Sequence, residues 1–511
     1  MKNFIKQNSH ILIISVLNFV LVFASSFTPG YGYFIDEFYY IACADNPALG
    51  YVDHPPLAPL ILLLYKFVLG DSLLVIRLLP AIASSVTVFL SGIIAKLLGG
   101  KKTAQSVSAF AVFVSPMFLI LSGFYSMNVF ETLLAAVGVI FILKMINENN
   151  PKYWLHTSVV FGMLIMNKHT SVLFIVSVIL FLLISEKRKL LFSKYFLSRI
   201  AIIFLIFLPY LVWQIKYDLP TIEFYKNITS KNTPVPVIEY IKLQALAYNP
   251  LVLILAFAGA VYFLFNKNYR NYNFLAFIFL VMFFLFLLLK VGRVDRIIFA
   301  YLIIIPAGGI LMENIVEKLK QKWLVYFLCT LAFIIMISVI PVLMPYLNYE
   351  NSYRLTRLYG LNTEMEKGKT PKIHQMLADR IGWEEKADMV AKVYLSLSEE
   401  DRKNTIVAAE YYGIAAAVEF YGKKYGIKNV VCGHNNYYFW SKSRLKGDIV
   451  LQLTNKSSYK GLLNEYNSVD STEVCFDNEY CPPEGRRQTV FICKEPKYPK
   501  EELLEHSRYY Y

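Results

Sequence analysis

The stretch FLAFIFLVMFFLFLLL runs from Phe274 to Leu289 without one charged or hydrogen-bonding side chain. Such a run has no place on a water-washed surface, and as a helix it approaches the length of about 20 residues needed to cross about 30 Å of hydrocarbon. Working outward, the same texture recurs at 10–27, 78–98, 104–122, 129–146, 153–167, 170–185, 200–215, 246–265, 297–313 and 323–343, which with this stretch makes eleven candidate spans. The segment 57–69 (LAPLILLLYKFVL) is too short to span and reads as an interfacial helix. The whole chain of 511 residues is 56% hydrophobic and only 17% charged, against about 45–50% and about 25% in soluble domains. Its mean hydropathy of +0.45 rules out a disordered, collagen-like or small disulfide-stapled chain. The apolar runs end near residue 344. We therefore expect a polytopic α-helical membrane protein with about 11 transmembrane helices over 1–344 and a C-terminal extracytoplasmic α/β domain over 345–511.

Charge gives the orientation. A net charge of +14 on a soluble chain would point to nucleic acid, but in a membrane protein Lys and Arg gather on the cytoplasmic side. With the N-terminus inside, Lys2, Lys6, Lys101, Lys102, Lys152, Lys187, Arg188, Lys189, Lys194, Lys267, Arg270, Lys318, Lys320 and Lys322 all become cytoplasmic. Loop 28–76 then lies outside, with Lys66 as its only Lys or Arg beside the acids Asp36, Glu37, Asp45, Asp53 and Asp71. An odd number of spans puts the tail outside too, and the expected location is the cytoplasmic membrane, multi-pass. The first span resembles a signal peptide but lacks a small-residue cleavage site, so it reads as an uncleaved anchor.

The tail alternates periods. NTIVAAEYY (404–412) reads as a buried strand and GIAAAVEFYGKKYG (413–426) as a helix. KNVVCG, GDIVLQL and QTVFICKEP read as strands, and 383–397 as a helix. No internal repeat is evident. Cys432, Cys475, Cys481 and Cys493 would permit two disulfides outside the cell, with the pairing unreadable, and no zinc spacing is present. Gly368-Lys369-Thr370 ends like a phosphate loop, but Thr363 stands where the first glycine is required, and neither GxGxxG nor HExxH occurs.

The chemistry concentrates in the first outer loop. Directly after the anchor comes PGYGYFIDEFYY (29–40), with Asp36 and Glu37 side by side among aromatics, and further on GYVDHPPL (50–57), with Asp53 and His54. Charged groups near lipid are expensive and tend to mark function, and a half-dry carboxylate suits a general base. The plain alternative is that Asp36 and Glu37 sit in the first turn of a helix beginning near Phe38, where acids stabilise the N-terminus.

In this arrangement, a signal anchor, DE with aromatics and then YVDHPPL before a juxtamembrane helix, the chain resembles glycosyltransferase family 39. That family holds the bacterial relatives of protein O-mannosyltransferases and the lipid A aminoarabinose transferase. SGFYSMNVFE (122–131), GMLIMNKHT (162–170) and PYLVWQ (209–214) are similar to further family elements, as are IGWE (381–384), EYYG (410–413) and GHNNY (433–437) in the tail. Two elements depart from the pattern. KVGRVDR (290–296) precedes Tyr301, Pro306, Gly308 and Gly309 where a Lys with paired tyrosines is usual, and Met127-Asn128-Val129 replaces an Asn-Pro-Asp.

The resemblance implies a GT-C fold enzyme that moves a sugar from a polyprenyl-phosphate donor to an envelope acceptor (lipid A, glycan or protein) on the outer face. It implies Asp36 as the base, with Glu37 positioning or replacing it. Asp53, His54, Lys168, Arg293 and Arg296 are the expected donor and phosphate contacts, because a departing lipid phosphate needs positive or hydrogen-bonding partners. For Lys168 the alternative is interfacial snorkelling, and for Arg293 and Arg296 pairing with Asp295 or lipid headgroups. A divalent metal at Asp53 and His54 would have too few protein ligands to make a site. A transporter or flippase for a lipid-linked glycan, or a scaffold whose tail binds glycans, are the competing classes. Neither explains paired interfacial acids.

Overall fold

The computed structural model describes residues 2–184, 188–192, 196–231, 234–361, 370–482 and 485–511. The rejected phosphate-loop positions Thr363, Gly368 and Lys369, and the loop lysines Lys187 and Lys194, lie outside these residues. Among the described residues seven helices are each long and apolar enough to cross a membrane: Ser9–Phe27, Leu73–Leu97, Met127–Asn147, Ser198–Lys216, Lys267–Leu288, Val294–Leu319 and Trp323–Leu343. An eighth appears if Val237–Tyr248 and Pro250–Phe265, bent by 102° at Asn249, count as one span. The sequence-derived span 104–122 is broken into Lys102–Phe113 and Pro116–Ile120, because Pro116 cannot continue a helix. The spans near 153–167 and 170–185 form the shorter helices Tyr153–Asn167 and Ser171–Ile184.

Side-chain bonds show which helix ends lie together. At one end Lys96 reaches Asn8, Asn147 reaches Leu97, the Lys101 and Ala104 amides donate to Glu313, and Tyr272 donates to Asn147. At the opposite end Tyr125 meets Glu37, Asn167 meets Met127, Tyr248 meets Val294, and Thr28 meets Pro345. The helix Ile298–Leu319 is the hub. A Cβ on Gly309 would come within 2.3 Å of Ser108 Oγ, and one on Gly259 within 2.3 Å of the Gly308 amide. Small residues let these backbones touch, which is how helices gain van der Waals contact where lipid removes the hydrophobic drive.

The two loops 28–76 and 216–245 are largely helical. Loop 28–76 folds into Ile35–Asp45 and Leu57–Leu69, the latter leaving Leu64, Phe67 and Val68 exposed as an interfacial helix should. The region 216–245 holds Pro220–Lys231 and the start of Val237–Tyr248.

The tail carries one five-stranded sheet. Its strands are β1 (Thr405–Ala409), β2 (Val430–Val431), β3 (Ile449–Asn455), β4 (Tyr466–Phe476) and β5 (Gln488–Pro496), in the order β2-β1-β3-β5-β4. β1 pairs in parallel with β2 and β3, while β5 runs antiparallel to β3 and β4. The strand expected from KNVVCG shrinks to the two residues of β2. All six cysteines, including Cys432, Cys475, Cys481 and Cys493, are free thiols. The tail does not hang loose. Trp383 and Ile381 share one buried cluster with Phe38, Tyr39 and Tyr40 of the first loop. The buried Arg380 donates to the Gly123 carbonyl and lies over the rings of Phe34 and Phe124.

Candidate active site at the outer helix ends

The two adjacent acids of the first loop have different fates. Helix Ile35–Asp45 starts so that Glu37 turns inward and Asp36 turns toward the tail. Glu37 is fully buried, and its Oε2 accepts the Phe34 amide at 2.8 Å, so the capping alternative describes Glu37. The same carboxylate accepts the Tyr125 amide at 2.9 Å and pairs with the buried Arg77 at 3.0 Å. Arg77 also donates to the Gly32 carbonyl at 2.7 Å. The Phe34 amide, the Tyr125 amide and Arg77 together satisfy Glu37, as a buried carboxylate requires.

Asp36 is half-buried, and its Oδ1 accepts the Tyr412 hydroxyl at 2.8 Å. Nearby, Asp53 Oδ1 accepts the Tyr39 hydroxyl at 2.9 Å. The Tyr40 hydroxyl lies in the field of both Asp36 and Asp53, and its ring stacks on His54 with centroids 4.9 Å apart. His54 is buried with Nδ1 2.9 Å from the Pro55 carbonyl, which makes Nδ1 the protonated nitrogen. Among the described residues its Nε2 is buried without a hydrogen-bond partner. The tail secures this loop, since Asn436 Oδ1 accepts the Val52 amide at 2.7 Å.

Across the site stand the cations. Lys168 is buried, so it does not snorkel. It donates to Asn128 Oδ1 at 2.7 Å and to Glu131 Oε2 at 2.9 Å, while Thr170 donates to Glu131 Oε1 at 3.0 Å. An ammonium has three donors, so these two bonds leave one N–H of Lys168. Arg293 pairs with Asp295 through Nε at 2.9 Å and Nη2 at 3.3 Å, the contact anticipated as the alternative to catalysis. Arg296 is half-buried, and its guanidinium makes no hydrogen bond or ion pair among the described residues, while its amide donates to the Arg293 carbonyl at 3.3 Å. Asp295 lies in the field of Lys168 as well as Arg293, so the two basic turns face each other.

A tyrosine and a histidine join the acidic and basic sides. Tyr225 OH is 3.0 Å from His169 Nδ1 and lies in the field of Arg296, Asp53 and Glu131. His169 Nε2 is 2.7 Å from Tyr210 OH, and burial together with the neighbouring His54 lowers the pKa of His169 to about 4, so it is neutral near pH 7. Asn128, Glu131, His169, Tyr225, Tyr39 and Tyr412 all belong to the site without having been picked out for it by sequence. For Glu131 a signal existed, an acid inside an apolar span; the tyrosines are lost among 37 of their kind. Among the described residues no three His, Cys, Asp or Glu side chains converge as metal ligands. Asp53 and His54 alone do not fill a coordination shell.

A family model described as dolichyl-phosphate-mannose-protein mannosyltransferase matches residues 53–213, a segment that includes Asp53, His54 and Lys168. None of the curated proteins matches the chain. Among solved structures it is similar to ArnT from Cupriavidus metallidurans bound to undecaprenyl phosphate, with a TM-score of 0.60 and 13% identity over 94% of this chain and 97% of that one. It is also similar to the archaeal oligosaccharyltransferase AglB from Archaeoglobus fulgidus in complex with an inhibitory peptide and a dolichol-phosphate. There the TM-score is 0.53 and the identity 13%, over 99% of this chain and 77% of that one. At such identities what is shared is the fold, and the family resemblance rests on the matched segment. The chain shares the GT-C fold of these membrane proteins, and its segment 53–213 is similar to the dolichyl-phosphate-mannose-protein mannosyltransferase family.

Proposed function

We propose that the chain is a membrane glycosyltransferase that transfers a sugar from a polyprenyl-phosphate donor to an acceptor hydroxyl in the cell envelope. The observation that carries this is the meeting, at helix ends on the tail side, of half-buried acids with the cations of two basic turns. A lipid-linked donor keeps its chain in the bilayer and its phosphate at the interface, so reacting groups belong at this depth. Undecaprenyl phosphate in ArnT and dolichol-phosphate in AglB are ligands of the same chemical class.

In the proposed reaction Asp36 takes the proton of the acceptor hydroxyl as its oxygen attacks the anomeric carbon. The bond from that carbon to the phosphate oxygen breaks, and the electron pair leaves with the lipid phosphate. Arg296 and the remaining N–H of Lys168 stabilise the phosphate as its charge grows. Glu37 holds the loop in register through Arg77. Asp53, with His54 beside it, faces the donor sugar, where His54 Nε2 accepts a hydroxyl proton. Arg293 acts through Asp295, keeping it from neutralising Arg296. We place the tail outside the cytoplasmic membrane, because Lys101, Lys102, Lys318, Lys320 and Lys322 lie at the opposite end. A protein acceptor has a precedent in AglB tethered with an acceptor peptide; lipid or glycan acceptors suit the same chemistry.

The test is release of undecaprenyl phosphate from a panel of undecaprenyl-phosphate sugars by the purified full chain, with extracts of envelope lipid, glycan and protein as acceptors. Release that requires acceptor and drops on Asp36→Asn supports the reading. Movement of an intact lipid-linked glycan across vesicles, unaffected by Asp36→Asn, would instead identify a flippase.

A further inference from the structure

One polar partner of the acid cluster comes from the other domain. Tyr412 begins the helix Tyr412–Gly422 just after β1 in the tail, and its hydroxyl donates to Asp36 Oδ1 at 2.8 Å across 376 positions of sequence. We propose that Tyr412 is a positioning residue for the transfer reaction. It fixes the carboxylate of Asp36, so that the tail is a working part of the site and not only a brace. This inference rests on the reading of Asp36 as the base.

Tyr412 is itself held with unusual care. Its amide donates to His434 Nδ1 at 3.4 Å, and His434 Nε2 lies 2.8 Å from the backbone oxygen of Tyr511. Since Nδ1 accepts, Nε2 carries the proton, and His434 is the neutral tautomer bridging two tail segments. The Tyr412 ring packs between Tyr39, at 4.7 Å, and His434, at 4.9 Å, centroid to centroid. Tyr39 in turn accepts the Asn436 amide at 3.4 Å while donating to Asp53. The tail therefore reaches two acids of the loop, Asp36 directly through its own Tyr412 and Asp53 through the Asn436 amide bonded to the loop's Tyr39. A phenol bonded to one carboxylate oxygen fixes the plane of the group, and a base must meet its proton within hydrogen-bond reach and in line.

The test uses the purified full chain with the undecaprenyl-phosphate sugar that gives the highest turnover. Tyr412→Phe removes one oxygen and keeps the ring packing. Loss of a hydrogen bond to a charged group should lower kcat roughly 10- to 100-fold, with the donor KM and the melting temperature unchanged. In an Asp36→Asn background the same substitution should cost little more, because the carboxylate it orients is gone. A normal kcat for Tyr412→Phe, or an equal loss in both backgrounds, overturns the proposal and leaves Tyr412 as packing. The two readings separate cleanly: full turnover by Asp36→Asn removes the base assignment itself, whereas loss there with a normal Tyr412→Phe removes only this inference.

Discussion

Replacing Glu37 by Gln tests the division of labour between the adjacent acids. The substitution keeps size and removes a charge that is fully buried against Arg77, itself 1% exposed. Glu37 accepts from the Phe34 amide, the Tyr125 amide and the Arg77 guanidinium. A glutamine has one acceptor oxygen, so its NH2 must face one of these donors, and the Arg77 charge is left buried without a counter-ion. Removing one partner of a buried pair costs about 3–5 kcal/mol, and the misdirected amide adds about 1–3 kcal/mol for a stranded donor. Overlap between the two losses places the expected destabilisation near the lower sum, about 4 kcal/mol. The assay is thermal unfolding in detergent followed by tryptophan fluorescence, beside turnover measured well below the melting transition. Glu37→Gln should melt several degrees early yet retain turnover while folded. Asp36→Asn should do the reverse. A Glu37→Gln protein that melts like the parent and has lost turnover would refute the assignment, and Glu37 would then have to touch substrate.

Asp36→Asn should lower turnover by about 10²–10⁴-fold, the usual worth of general-base catalysis, measured as undecaprenyl phosphate release. Arg296→Gln should weaken donor binding and turnover by about 1.5–3 kcal/mol, whereas Arg293→Gln should do less because Arg293 is committed to Asp295; equal effects would show that both touch phosphate. His374 in the tail, whose Nδ1 accepts the Met376 amide and whose pKa burial lowers to about 4, binds its proton more weakly folded than unfolded. Stability should therefore be lost as the pH falls from 6.5 toward 4, and His374→Asn should flatten that part of a melting-temperature profile. A topology reporter fused after residue 345 should be active only outside the cytoplasm.

Long-range chemistry was less legible in the sequence than local pattern. Apolar runs marked the helices, since a stretch such as 274–289 admits one environment, but among the described residues seven, or eight with the bent pair, reach spanning length against the eleven expected. A short apolar helix stands at Leu57–Leu69, as its length and composition suggest. β4 escaped because YNSVDSTEVCF is largely polar and pairs on one side only, at the sheet edge. The helices at 220–231 and 237–248 escaped because a lipid interface tolerates mixed faces that match neither a span nor a soluble helix. In the site, the acids and cations were visible as charges near lipid. Their partners were not: nothing local distinguishes Glu37, turned in to Arg77, from Asp36, turned out to Tyr412. That choice depends on helix phase and on a domain hundreds of residues away.

The bond between Tyr412 and Asp36 has a consequence for how the protein is made. The chain leaves the ribosome and enters the membrane from its N-terminus, so the first loop is in place long before β1 or the segment 434–436 has been synthesised. Until the tail has folded and docked, Asp36 lacks its phenol and the Val52 amide lacks Asn436. An unfinished or mis-inserted molecule thus exposes an incomplete centre to its lipid-linked donor. Full activity becomes a property of finished molecules, and tail docking serves as a built-in checkpoint during biogenesis.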